Sequence, residues 1–256
     1  MSTLANEVIE QINKQEKYSV FIAEDEFTKN LCYKLRYDVF AKELNAQILA
    51  KSDSLDKDKF DDHCHHLVVF DNQLNEIVAT TRLLDNTGRL HTKMFYSETE
   101  FDLSNVFNSD LKYVEVGRTC IHPAYRRGIV LAILWRGIAD YVVTHNIDYL
   151  MGCASIPLSS GDKYISSLMN HIGKNHYAPK SLRVMPLIPL RVNTDVPHAD
   201  DVILPTLLKA YVRQGALVCG QPYWDIAFGV ADLFILLEAS NITDRYSKHF
   251  IDRIES

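Results

Sequence analysis

Seven residues in the first half of this 256-residue chain carry groups or sit at spacings that can do chemistry. Arg36 and Phe40 stand one turn apart in a helical stretch, and Asp58 and Asp61 bracket Phe60 in a polar loop that enters a strand. Arg82 sits in a hairpin strand, and Glu115 and Arg118 flank Gly117 in a further strand. A carboxylate accepts a proton or holds a cation, and a guanidinium fork holds a carboxylate. Most of these charges fall inside predicted secondary structure, where burial is expensive unless the charge is paired or used. Strict alternation puts Glu115 and Arg118 on opposite faces of their strand. A bulge at Gly117 re-aims the side chains and lets both line one cleft. Without the bulge the two are a surface ion pair with Gly117 merely tolerated, and each aspartate taken singly is a turn cap.

The stretch "DDHCHHLVVF" from Asp61 to Phe70 has the residue types of a zinc site but not the spacing. Zinc ligands converge from two close pairs across a loop. Here they are consecutive, and His65 and His66 point to opposite faces of an alternating strand. No second Cys/His cluster follows downstream, so no metal site is expected.

Composition narrows the function classes. A formal net charge of -6 and a pI near 5.9 exclude a general nucleic-acid binder, which needs a basic surface. The five scattered cysteines form no C-x-x-C and are odd in number, which fits a reducing cytoplasm. The polar start "MSTLANEVIEQINKQEK" reads as a peripheral helix rather than a signal peptide, and no apolar run approaches a spanning length.

The elements that must position the charged residues follow from periodicity. "YSVFIA" reads as a strand, and "DEFTKNLCYKLRYDVFAKEL" as a helix with Phe27, Leu31, Leu35 and Val39 on its packed face. "HLVVF" and "EIVATTRLL" flank the turn "DNQLN" as a hairpin, and "KYVEVGRTCI" is a more buried strand. "IVLAILWRGIADYVV" is a helix that leads to the strand "DYLMGCAS", completing a βαβ unit. "LPTLLKAYVRQG" carries proline at its start and glycine past its end, as a short helix does. Short strands follow at "ALVCG" and "VADLFILL". With no repeat or linker, residues 1–256 read as a single α/β domain, with 1–17 and 238–256 peripheral.

"LRYDVF" with Arg36 and Phe40, "DKFD" with Asp58 and Asp61, "TRLL" with Arg82, and "EVGR" with Glu115 and Arg118 together resemble the acyl-homoserine-lactone synthases of the GNAT N-acyltransferase fold. Residues 31 to 228 are more similar to the hemolysin-like ornithine–acyl-carrier-protein N-acyltransferases. The passages are "FDDHCHHLVV", "TTRLL", "FYSETEFDL", "EVGRTCIHPAYRRG", "LAILWRGIADYV", "DYLMGCAS" and "LPTLLKAYVRQGA". The resemblance implies a mixed central sheet splayed at a bulged strand, flanked by helices, with C-terminal elaborations. Two departures shape the expectation. "AQI" stands where the lactone synthases carry an aromatic residue near S-adenosylmethionine, and "YRRGIVLA" keeps one glycine of the coenzyme A pyrophosphate loop and loses the other.

The implied donor is therefore acyl-carrier protein, with Arg126, Arg127 and Gly128 holding a single phosphodiester of its phosphopantetheine. The implied reaction carries a (3-hydroxy)fatty acyl group to the α-amine of ornithine, the first step of ornithine lipid synthesis, with no other cofactor. Glu115 is the implied proton acceptor and Arg118 its neighbour at the oxyanion. Arg36 and Arg82 are candidates to take the acceptor carboxylate, and Asp58 and Asp61 either hold those arginines or receive a second ammonium. Phe40 lines the acceptor site. Tyr164 is a candidate to protonate the leaving thiolate, and Cys153 reads as packing rather than as a nucleophile. Lys174, Lys180, Arg183 and Arg191 are candidates to meet the acidic carrier protein. The amphiphilic product implies contact with the inner membrane face. Competing readings are a synthase for another amine (glycine, tyrosine or S-adenosylmethionine) and a non-catalytic lipid-binding module.

Overall fold

The computed structural model describes residues 17–43, 53–126, 129–193 and 202–242. The expected N-terminal helix, the "AQI" departure, Arg127 and Gly128 lie outside the described residues. Strand β1 (Tyr18–Ile22) is followed by helix α1 (Glu26–Glu43), β2 (His65–Asp71), β3 (Glu76–Asp85), α2 (Asn86–Thr92) and β4 (Phe101–Asp102). Then come β5 (Tyr113–Ile121), α3 (Val130–His145), β6 (Tyr149–Pro157), α4 (Asp162–Asn175) and β7 (Met185–Pro186). Helix α5 (Thr206–Arg213), β8 (Leu217–Val218), β9 (Tyr223–Asp225) and β10 (Val230–Glu238) complete the order.

The main sheet runs β1-β2-β3-β5-β6-β10-β8, with β9 also on β10, and β4 pairs with β7 apart from it. Among the described strands only β5 and β6 pair in parallel, and α3 connects them, as the βαβ pattern requires. One face of the sheet carries α3, α4 and α5 on a core that includes Leu134, Ile138, Leu168, Ile172 and Leu208. The other face carries a second core around Phe60, Phe95, Phe101, Tyr113 and Phe234, and α1 packs beside it on β3. Ala239 and Ile242, at the start of the segment expected to be a peripheral tail, are buried in the first core.

Helix α1 buries the second half of the face that its apolar spacing predicts, Leu35 and Val39, but not the first. Phe27 is 74% exposed and Leu31 is exposed too, while Cys32, Leu35, Arg36 and Val39 are buried. The buried stripe keeps helical spacing but contains an arginine, because partners wait beneath it.

Two features of β5 open the sheet. Arg82 on β3 pairs with Gly117 whereas Thr80 pairs with Cys120, so Arg118 and Thr119 together oppose Thr81. This is a β-bulge, and its left-handed residue is Arg118 (φ 49°) rather than the expected glycine. The Thr81 hydroxyl fastens it, bonding to the Gly117 carbonyl at 3.2 Å and to the Thr119 hydroxyl at 2.7 Å. Meanwhile β5 pairs with β6 only from Tyr113–Tyr149 to Glu115–Met151, after which the two strands part. At the point of parting, a Cβ on Gly152 would lie 2.3 Å from the Val116 carbonyl oxygen, so only glycine permits the approach.

Candidate active site

A cavity of about 190 Å³ occupies the split between β5 and β6. Phe40, Arg82, Glu115 and Arg118 line it together with Gly117, so four of the seven expected residues meet at one place. Gly117 faces open space, since a Cβ built there meets nothing within 4 Å. The glycine keeps the cavity clear rather than supplying the bulge.

Glu115 is buried on β5 and turns its carboxylate to the start of the 3₁₀ turn Tyr96–Thr99. It accepts the backbone N–H groups of Tyr96 at 2.6 Å and Ser97 at 2.7 Å, together with a short bond from the Ser97 hydroxyl. Burial pushes the Glu115 carboxyl up, and the Ser97 and Tyr96 donors oppose that rise. The Ser97 hydroxyl also lies 3.3 Å from the Cys153 sulfur.

The arginines and aspartates form one closed network. Arg36, 1% exposed, gives its Nε to Asp56 at 2.9 Å and its two terminal nitrogens to Asp61 at 2.7 and 3.2 Å. Arg82 donates to Asp58 at 2.7 Å and to Asp61 at 3.2 Å. Arg118 reaches Asp58 at 3.2 Å, lies 3.4 Å from Asp56, and stacks between the rings of Tyr96 and Phe228. Burial raises the Asp61 carboxyl, but the Arg36 and Arg82 charges outweigh it and hold the group well below the usual carboxylate range. Asp58 is lowered by the same balance, with Arg82 the leading cation.

This arrangement decides between two expectations left open by the sequence. Asp58 and Asp61 hold the arginines. Arg36 is spent on Asp56 and Asp61 and does not line the cavity, so it is not placed to take a substrate carboxylate. Asp56, missed in the sequence reading, is the third aspartate of the network.

Other expected residues are dispersed. The Tyr164 hydroxyl donates to the Ile203 carbonyl at 2.7 Å, away from the cavity, whereas Tyr96 and Tyr211 line it. Arg126 donates its Nε to the Ile121 carbonyl at 3.2 Å, at the end of β5. Lys174, Lys180 and Arg191 are exposed, and Arg183 donates to the Ala178 carbonyl and stacks on Tyr177 at 4.5 Å. His65 is exposed while His66 is buried against Tyr33, as alternation along β2 requires. Burial lowers His66 to about 4, which keeps it neutral. Cys153 is at the cavity wall, and burial with the Glu100, Asp232 and Glu115 carboxylates raises its thiol, the opposite of a nucleophile's need.

The sequence reading also missed three acids at the far end of the cavity. Glu100, Asp225 and Asp232 place carboxylate oxygens within 4.8 Å of one another. One signal was available: Asp232 interrupts the otherwise apolar "VADLFILL" strand.

A second, apolar pocket lies against the cavity. Val116, Cys153 and Tyr211 line both, and Trp135, Leu150, Ile235 and Leu237 extend the second toward the helix-covered core.

Comparison with known proteins agrees with this geometry. Residues 35–136 match the model of the acetyltransferase (GNAT) domain. The fold is shared with the coenzyme A-dependent acyl-homoserine lactone synthase BjaI, solved with SAM and isopentyl-CoA (TM-score 0.55, 13% identity, 88% of this chain and 82% of that one). An L-ornithine Nα-acyltransferase of Rhodobacter capsulatus is 29% identical over 253 residues, covering 93% of this chain and 96% of the relative. One of Brucella abortus is 31% identical over 234 residues, covering 84% and 82%. With identity sustained along most of both chains and the bulged, splayed strand pair in place, this chain belongs to the L-ornithine Nα-acyltransferase family.

Proposed function

We propose that this chain moves a fatty acyl group, of the 3-hydroxy type, from the phosphopantetheine thioester of acyl-carrier protein to the α-amine of L-ornithine. The observation that carries the reading is the meeting of Glu115, Gly117 and Arg118 at the cavity where β5 leaves β6. The names of the relatives supply the acceptor.

An α-amine with a pKa near 8 is mostly protonated at neutral pH, so it must lose a proton before attack. Glu115 is the cavity carboxylate beside the bulge, its pKa raised by burial as those of Glu100 and Asp232 are, and it takes that proton directly or through a water. The amine nitrogen then bonds to the thioester carbon, and a backbone N–H beside the bulge stabilises the oxyanion without reorganising. As the intermediate collapses the C–S bond breaks, the nitrogen gives up its second proton, and the thiolate leaves as the free thiol. Arg118 takes the acceptor carboxylate, since it lines the cavity, as Arg36 does not, and is more exposed there than Arg82. No metal or further cofactor takes part.

The apolar pocket beside Val116 and Tyr211 supports an acyl donor, because it offers the chain a dry path through the split. Arg126, with Arg127 and Gly128, holds the donor phosphodiester, and Lys174, Lys180 and Arg191 meet the carrier protein. Among the described residues no helix is long and apolar enough to cross a membrane. Exposed Met185, Leu187, Ile188, Trp224 and Ile226 support peripheral contact with the inner membrane face by the amphiphile's producer.

The test is a purified assay with long 3-hydroxyacyl carrier protein and a panel of ornithine, glycine, tyrosine and S-adenosylmethionine, following thiol release and product mass. Acylated ornithine with matching thiol is the expected result. Acylation of another amine in its place moves the chain to a sister activity, and no acylation at all favours a lipid-binding module.

A further inference from the structure

We infer that Glu100, Asp225 and Asp232 form the receptor for the side-chain ammonium of the acceptor, and so make this site select a diamino acid over a neutral one. The inference rests on the proposed acyl transfer to ornithine and names the residues that read the acceptor's second charge.

Placement comes first. Along β6, Met151 and Cys153 contribute to the core on the face opposite α3, and Ser155 follows at the same alternation. Asp232 on β10 stands opposite Ser155 in the register and accepts its hydroxyl at 2.5 Å. Glu115 is tied to Cys153 through Ser97, so the proton acceptor and the acids share one sheet face and one cavity. From Cys153 to Ser155 the strand advances about 6.6 Å. The two nitrogens of a 2,5-diamino acid are separated by five bonds of about 1.5 Å, a zigzag of comparable span.

The second observation is an unmet acceptor. Glu100 is 3% exposed, and its Oε2 is buried with no hydrogen-bond partner among the described residues. A buried carboxyl oxygen left this way is costly, and an ammonium entering the cavity both donates to it and favours its ionised form. Asp225 spends its Oδ1 on the N–H groups of Ala227 and Phe228, which fixes its position. The cavity's two cations are already paired, Arg82 with Asp58 and Asp61 and Arg118 with Asp56 and Asp58. The three acids thus face a cavity with no lysine in its wall. An ammonium brings three N–H donors and one positive charge, one donor for each carboxylate.

The experiment compares ornithine with norvaline, which has the same carbon chain and lacks the second amine. Wild-type protein is assayed with 3-hydroxyacyl carrier protein beside Glu100→Gln, Asp232→Asn and Asp225→Asn, in buffer with EDTA. The expected result is a strong wild-type preference for ornithine in kcat/KM, about a hundredfold, which falls tenfold or more in the variants through KM. Thermal shift by ornithine, absent with norvaline, gives a second readout for any variant that is hard to purify in quantity. If wild type acylates ornithine and the variants keep its preference, the receptor assignment is overturned while the acyl transfer stands. If wild type acylates no amine, both fall. Stabilisation by Mg²⁺, Ca²⁺ or Zn²⁺ that the same variants abolish, with no ornithine effect, assigns the acids to a metal and also overturns the inference.

Discussion

Glu115 and Ser97 are joined twice, the buried carboxylate taking both the backbone N–H and the hydroxyl of the serine. The residue proposed to take a proton is therefore also the anchor of the Tyr96–Thr99 turn. The two roles separate experimentally. Glu115→Gln is expected to lower kcat by about a hundredfold or more. Ser97→Ala keeps the N–H bond and removes the hydroxyl that lowers the Glu115 pKa. The acid limb of its kcat/KM profile should move to higher pH, because Glu115 then holds its proton longer. An unmoved limb would sink the assignment of Glu115 as base.

Two glycines make a matched pair of probes. Gly117→Ala adds a methyl group to open space, so its stability should stay within about 1 kcal/mol of wild type while acylation falls. Gly152→Ala drives a Cβ into the Val116 carbonyl and should destabilise by about 1–3 kcal/mol. Urea melts beside turnover distinguish the two; equal activity for Gly117→Ala and wild type would remove the cavity from the reaction.

Arg36→Met leaves Asp56 and Asp61 buried without their shared cation. A loss of about 3–5 kcal/mol is expected at pH 7, read as a lower urea midpoint. In wild type the Asp61 carboxyl is depressed, so its contribution is present above the usual carboxylate range and lost as pH falls through that range and below. The gap between wild type and variant should therefore narrow on acidification.

Glu100 runs the other way. Burial and the neighbouring Asp232 push it up to about 8, and Asp232 itself, by burial, to about 6. Asp225, Tyr96 and Cys153 also face Glu100, and Arg118 acts on Asp232. The folded protein keeps protons that the unfolded chain releases, so this contribution is full below about pH 4.5 and lost as pH rises through 8. Glu100→Gln should match wild type near pH 5 and melt higher than wild type at pH 9. A parallel pair of melting curves across that range would refute the shift.

Cys153 is buried beside carboxylates, which disfavour its thiolate. Intact mass after mixing with acyl donor alone should show no acyl-enzyme. A stoichiometric adduct mapped to Cys153 would replace direct attack with a two-step transfer.

Much of the fold is legible in the sequence because the periods are clean. The hairpin of β2 and β3, strand β5 and the β5–α3–β6 crossover follow from residues 65–157 as expected. Helix α1 shows where pattern fails: its apolar spacing points to Phe27 and Leu31, yet Arg36 is buried because Asp56 and Asp61, brought in by a loop, neutralise it. The positions of the charged residues could be read, but not which aspartate meets which arginine, since that depends on pairing across the sheet. Glu100, Asp225 and Asp232 come from three separate segments and are neighbours only once β9 and β10 close beside β6. The left-handed Arg118 gave no sequence signal, as the adjacent glycine drew the bulge to itself.

The parting of β5 from β6 turns the sheet from a wall into a partition with a slit. Polar and charged groups crowd its near side, and the apolar pocket touches it at Val116, Cys153 and Tyr211. On the proposed reading the amino acid binds in the polar cavity and the acyl chain in the apolar pocket, and the two meet at the slit. Neither must leave before the other arrives, and the kinetics should be those of a ternary complex, with either partner free to load first.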